Sequence, residues 1–183
     1  MMPLINGRYY ANPAFGRALE RARAEEGADG AEQQQTPPAP SDPLANRIYN
    51  ETSGLRTSAP QGPGSPEDLH NARLHLGQII RNREAARMPG GVATDRLTKQ
   101  EANAVGTYPP ARTAFQDSQR AAARARAEKD PSGGATNFCV DFGQGPPPWA
   151  AGKKPVASFG PFLNKAGGGD VPKNAKVKIF ILR

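Results

Sequence analysis

The chain has 183 residues, with 24 Lys and Arg against 17 Asp and Glu, and only 37% of it is hydrophobic. Gly and Pro number 20 and 19, so a large part must be turn or loop, and no stretch has the length and apolarity of a membrane-spanning helix. Cys139 is the single cysteine, which excludes an intrachain disulfide and a cysteine cage for zinc.

The net charge of +7 is unevenly placed. Beyond residue 150, Lys153, Lys154, Lys165, Lys173, Lys176, Lys178 and Arg183 stand against Asp170 alone, while the rest of the chain is close to balanced. Such a region suits a polyanion (nucleic acid, anionic lipid or an anionic wall polymer) or is a solvated face. It lacks an interleaved base-stacking aromatic pattern, which argues against nucleic acid.

In chain order, Met1 to Gly16 lacks a basic stretch followed by an apolar run, so no secretory signal is expected. Residues 15–24 have the spacing of a short helix, and the polar run EEGADGAEQQQTPPAPSDP has almost nothing to bury. Residues 1–40 are therefore read as a short helix and a disordered linker, and residues 41–183 as the folded domain. Ser41 or Asp42 can cap a helix with Pro43 in its first turn. Leu44, Ile48, Glu51 and Leu55 then share one face. TSAPQGPGS is a loop. Ser65-Pro66-Glu67-Asp68 is a strong helix start, and helical spacing from Leu69 to Arg83 predicts a helix over about 66–87. Thr98 and Glu101 form a capping-box pattern for a short helix over 99–105. Pro109-Pro110 is expected to separate it from a helix over 111–128, with Phe115, Ser118 and Ala122 facing inward. Asp130 to Gly134 is a turn. Phe138, Val140 and Phe142 alternate with Asn137, Cys139 and Asp141, a strand over 136–142, and Pro146-Pro147-Pro148-Trp149 is a rigid loop. Val177, Ile179 and Ile181 mark a second strand over 176–182. Helices followed by a small strand region point to an α+β fold, mainly α.

Glu51 carries the sharpest chemical expectation. Its place on an apolar helix face strips water from the carboxyl, which penalises the charged form and raises the pKa. A carboxylic acid still protonated near neutrality can donate to the leaving oxygen of a glycosidic bond. The structural alternative is a buried ion pair between Glu51 and Arg81 or Arg83. His70 and His75, five residues apart, fall on different helix faces and are expected to be exposed rather than zinc-binding.

Ile48-Tyr49-Asn50-Glu51-Thr52-Ser53-Gly54 resembles the Tyr-x-Glu-Ala-Arg-Gly segment of the spore cortex-lytic, or cell-wall hydrolase, family. Ile79-Ile80-Arg81-Asn82-Arg83 is similar to the end of that family's next helix, and Pro89-Gly90-Gly91-Val92 to its Pro-containing break. Asp130-Pro131-Ser132-Gly133-Gly134-Ala135-Thr136-Asn137-Phe138 resembles its Asp-Pro-Thr-Gly-Gly-Ala turn and following strand, and Trp149 stands where the family often has tryptophan. The ordered likeness spans residues 44–150. It implies a reduced lysozyme-like domain acting on peptidoglycan glycan strands, with Glu51 as catalytic acid/base and no metal or organic cofactor. Asn82, Asn137, Phe138 and Trp149 are the candidate substrate-binding residues. Three of them also have another reading: Asn82 can orient Glu51 or cap its own helix, Asn137 can be a turn partner, and Phe138 can fill the core. Thr52-Ser53 replaces the family's Ala-Arg, and Leu55-Arg56 follows the glycine where many relatives carry a second glutamate. A lytic transglycosylase does not need that second acid.

The expected function is thus a peptidoglycan hydrolase or lytic transglycosylase. The alternatives are a non-catalytic wall-binding or effector-type module on the same fold and, less favoured, a basic nucleic-acid binder. The basic C-terminal region can meet an anionic wall polymer. Action at the cell wall without a visible signal implies synthesis in the cytoplasm and release by lysis, a holin or a dedicated secretion apparatus.

Overall fold

The computed structural model describes residues 42–88, 93–143, 145–165 and 174–183. The expected N-terminal helix and linker, Ser41, the Pro89–Val92 break and the glycine-rich stretch 167–169 lie outside the described residues.

Asp42 caps α1 (Pro43–Thr52), its Oδ1 accepting from the amides of Leu44 and Ala45 at 2.9 and 3.3 Å. Pro43 occupies the first turn, where its missing N–H costs nothing. Helix α1 ends before Leu55, which lies instead in β1 (Leu55–Arg56). The helical face extrapolated to Leu55 is therefore corrected: the Ser53-Gly54 turn redirects the chain into a strand. Ser65 caps α2 (Pro66–Ala85), with Glu67 and Asp68 in the first turn to favour the helix dipole. This helix ends slightly short of expectation, and Arg87 just beyond it has a φ of 52°. The Thr98–Glu101 capping box opens α3 (Lys99–Thr107). Pro109 and Pro110 are the first residues of α4 (Pro109–Ala127) rather than spacers ahead of it. Proline is well placed there because the first helical amides have no intrahelical acceptor.

The remaining elements are β2 (Asn137–Asp141), a single 3-10 turn at Pro148–Ala150, β3 (Pro155–Asn164) and β4 (Ala175–Leu182). The four strands form one antiparallel sheet in the order β1-β3-β4-β2. Two strands were expected; β1 and β3 were not. In β3 the prolines fall at its first position and beside Gly160, where the register slips between Phe159 and Phe162. Those are the places where a strand tolerates proline, and they also erase the period-2 pattern. The fold is α+β.

Helix α2 organises both halves. Leu69, Ala72 and Ile79 pack on the sheet residues Phe162, Val177, Ile179 and Ile181. Leu74 and Ile80, on another flank, pack against Leu44 and Ile48 of α1 and the small residues Ala121, Ala122 and Ala125 of α4. Gly77 allows this close approach, since a Cβ there would lie 3.1 Å from both Ala125 Cβ and Ile48 Cδ1. Asp68 ties the start of α2 to the strands: its Oδ2 accepts from Gly64 N at 2.7 Å and Gly160 N at 2.8 Å.

A helix buried on several sides must also satisfy its polar groups. Arg73, 4% exposed, donates through Nε to Thr52 Oγ1 at 3.0 Å and through its guanidinium to Asp117 Oδ2 at 2.7 Å. Asp117 also receives His70 at 2.8 Å and Arg120 at 2.9 Å. Burial alone would raise the Asp117 pKa, but the His70, Arg73 and Arg120 donors outweigh it and hold the carboxyl well below its usual range. Desolvation lowers the Arg73 pKa, with Asp117 opposing that shift. His70 and His75 are half-buried rather than exposed: His70 belongs to this network, and His75 Nδ1 donates to Asn71 O at 3.0 Å while its ring lies 4.9 Å from that of Phe159. Removing one partner of a buried charged network leaves the others desolvated and unpaired. Arg73→Ala is expected to destabilise the domain by about 3 kcal/mol in urea unfolding, well above the cost of an exposed Arg→Ala change such as Arg124→Ala.

Candidate active site

Glu51 lies in the last turn of α1, on a flank shared with two asparagines. Asn46 Nδ2 donates to Asp95 O at 2.9 Å, and Asn50 Nδ2 donates to Thr94 O at 3.0 Å and Arg96 O at 3.2 Å. Glu51 Oε1 accepts from Ala93 N at 2.7 Å. Three side chains of α1 thus grip the segment 93–96, which lies between α2 and α3.

The residue retains partial exposure, yet protein packs closely around its carboxyl. This burial pushes the Glu51 pKa up to about 7, the Ala93 hydrogen bond offsetting part of the shift. No ion pair to Glu51 occurs among the described residues. The alternative partners point elsewhere: Arg81 donates to Ala125 O and to Gln78 Oε1, and Arg83 donates to Thr136 O at 2.9 Å. The buried-ion-pair expectation is corrected accordingly. Helix α2 aims these arginines at α4 and at the entry to β2.

The segment that Glu51 engages also borders an open cavity of about 340 Å³, whose lining includes Ala93 but not Glu51 itself. Arg47 of α1, Ile80, Arg83 and Glu84 of α2, and Ala93 and Asp95 of the gripped segment line it. Ala93 is shared, lining the cavity and bonding Glu51. Arg47 precedes Glu51 by four residues, so the two are neighbours along one helix surface.

The other candidate residues are not gathered around Glu51. Asn82 Nδ2 donates to Asp130 Oδ2 and Ala135 O, each at 2.9 Å, so it neither orients Glu51 nor caps its own helix. It staples the 130–135 turn to α2. Burial would raise the Asp130 pKa, but donors from Ser132, Asn82 and Gly134 bring it down to about 2. Asn137 heads β2 next to Thr136, the residue that Arg83 reaches from the cavity wall, and donates to Thr136 Oγ1 at 3.2 Å. Phe138 packs with the helix-facing core, whereas Trp149 packs with Cys139, Ala150 and Leu182 on the other face of the sheet. Lys153 Nζ sits 5.5 Å from the centre of the Trp149 ring. Phe138 and Trp149 therefore do not share one sugar-stacking surface.

Arg47, Asn46, Asn50 and the segment 93–96 were missed by sequence reasoning. The available signal was two asparagines at i and i+4 beside Glu51, but their acceptors lie more than forty residues away. Among the described residues, no group of His, Cys, Asp and Glu side chains is arranged to hold a metal ion, and no helix is long and apolar enough to cross a membrane. Compared with family models, curated proteins and solved structures, the chain matches none.

A carboxyl whose pKa rises on folding takes up a proton in the native state between about pH 4.5 and 7. Stability from this group is complete below pH 4.5 and is lost as pH rises through 7. Glu51→Gln keeps an oxygen acceptor for Ala93 N–H without the buried charge. The variant should match the wild type at pH 4 and exceed it at pH 8 by on the order of 2 kcal/mol in urea unfolding.

Proposed function

We propose that this chain is a peptidoglycan-cleaving enzyme, a lytic transglycosylase or muramidase, on a reduced lysozyme-like domain. The observation that carries the reading is Glu51: a carboxyl without an ion-pair partner among the described residues, with its pKa raised to about 7, bonded to Ala93 at the edge of an open cavity. The motif likeness around Tyr49, Glu51 and the Asp130–Ala135 turn supports the same substrate class.

In this reading a glycan strand lies across the end of α1, and Glu51 donates its proton to the glycosidic oxygen. The bond from that oxygen to the anomeric carbon breaks and leaves oxocarbenium character on the sugar. A hydroxyl of the same muramyl residue attacks the anomeric carbon and gives its proton to the Glu51 carboxylate. The acid is restored and no water is consumed. One carboxyl serves both steps, which accords with Leu55-Arg56 standing where relatives carry a second acid. Asn137, at the head of β2 near the cavity's Arg83 wall, is the expected sugar contact among the remaining candidates.

A second reading, glycan binding without cleavage, draws on the Ala93 N–H that already engages Glu51 Oε1. The two readings separate in a zymogram on purified sacculi. Wild type should clear the gel, and Glu51→Gln should lose clearing by about 10³-fold, the range for an essential acid/base group. Equal clearing by both proteins contradicts the enzymatic assignment, and sedimentation with sacculi without soluble fragments selects binding. For the wild type, kcat/KM should fall as pH rises through about 7, because the proton donor is lost there.

A further inference from the structure

We infer that the cavity beside Glu51 is a subsite for the peptide branch of a peptidoglycan strand, with Arg47 receiving a carboxylate of that branch. This inference rests on the proposed glycan substrate for its choice of ligand, but the binding it claims does not require catalysis.

Five observations converge on it. Arg47 lines the cavity while its Nε is buried and has no hydrogen-bond partner, although the same guanidinium reaches Glu84. The buried Nε holds the plane of the guanidinium in place, and the terminal nitrogens of a guanidinium are matched to a carboxylate. The wall carries charges of both signs, Arg47 and Arg83 against Glu84 and Asp95. Such a wall complements a ligand bearing both carboxylate and amine, as peptidoglycan stem peptides do. Met88 also lines the cavity and, with Val156, is one of the large hydrophobic side chains left exposed among the described residues. With Ile80 it offers apolar contact to short side chains such as those of alanine. The volume, about 340 Å³, is at the small end of ligand sites and suits a short branch rather than a strand. Finally, Arg47 is one helical turn from Glu51, so a peptide held there would place its parent sugar at the carboxyl.

The specificity that follows is a preference for glycan units that carry a peptide. The test is calorimetric titration of full-length Glu51→Gln, chosen to suppress any turnover, with a synthetic stem tetrapeptide and separately with the peptide-free disaccharide. Arg47→Ala in that background should weaken the tetrapeptide at least tenfold and leave the disaccharide unchanged. Arg47→Lys should restore part of the loss. Asp95→Asn, at an exposed loop position, gives a second variant if Arg47→Ala does not fold, and should weaken the same peptide by several-fold. Tetrapeptide binding that is absent, or indifferent to both positions, overturns the inference even where sacculi are lysed. Arg47-dependent peptide binding by a protein that lyses nothing upholds the subsite and removes the enzymatic proposal instead.

Discussion

The constraint on which the rest depends is the burial of α2 on more than one side. A helix packed against a sheet on one flank and against two helices on another cannot leave its polar residues in water. Arg73, Gln78, Asn82 and Arg83 must each find partners, and these lie in α1, in α4 and in the stretch that leads into β2. Arg73 reaches Thr52 and Asp117, Gln78 reaches Ala125 O at 2.8 Å, Asn82 takes the Asp130 turn, and Arg83 takes Thr136. Apolar packing alone would let α1, α4 and the strands slide along the helix. These directed bonds fix their positions, and so fix where the end of α1 meets the chain leaving α2.

Glu51 follows from that placement. Arg81 and Arg83, near the end of the neighbouring helix, donate to carbonyl groups, and no ion pair to the Glu51 carboxyl forms among the described residues. What reaches it is one backbone amide, from Ala93. A single hydrogen bond stabilises the anion less than desolvation destabilises it, and the proton is retained to about pH 7. The contrast with Asp117 and Asp130 is instructive. Both are also withdrawn from water, but each collects several donors and is held as an anion. The same fold thus keeps structural carboxylates ionised and one carboxyl neutral, a separation that acid–base sites characteristically show.

Local chemistry in the sequence was legible where it is complete within a few residues. Ser65 with Pro66, and Thr98 with Glu101, announce helix starts because cap and acceptor are three residues apart. Val177, Ile179 and Ile181 announce a strand because their alternation is unbroken. Pro109-Pro110 was misleading, since proline marks a helix start as readily as a break. Strand β3 was hidden by Gly160-Pro161, which sit at a bulge and interrupt the alternation. Glu51 was legible from helical spacing, but its surroundings were not. The Asn46, Asn50 and Glu51 partners lie in residues 93–96, and Arg47 gains meaning only when Glu84 and Asp95 are brought beside it. Asn82 was read as a substrate contact or a partner of Glu51, whereas its side chain holds the 130–135 turn.

The retained proton on Glu51 is the claim that the enzymatic proposal requires. It can be read directly from the side-chain carboxyl ¹³C resonance of Glu51, assigned by its absence in Glu51→Gln and followed from pH 3 to 9. A midpoint near 7 is expected. A midpoint near 4.5, the value of an ordinary solvated glutamate, would contradict the account.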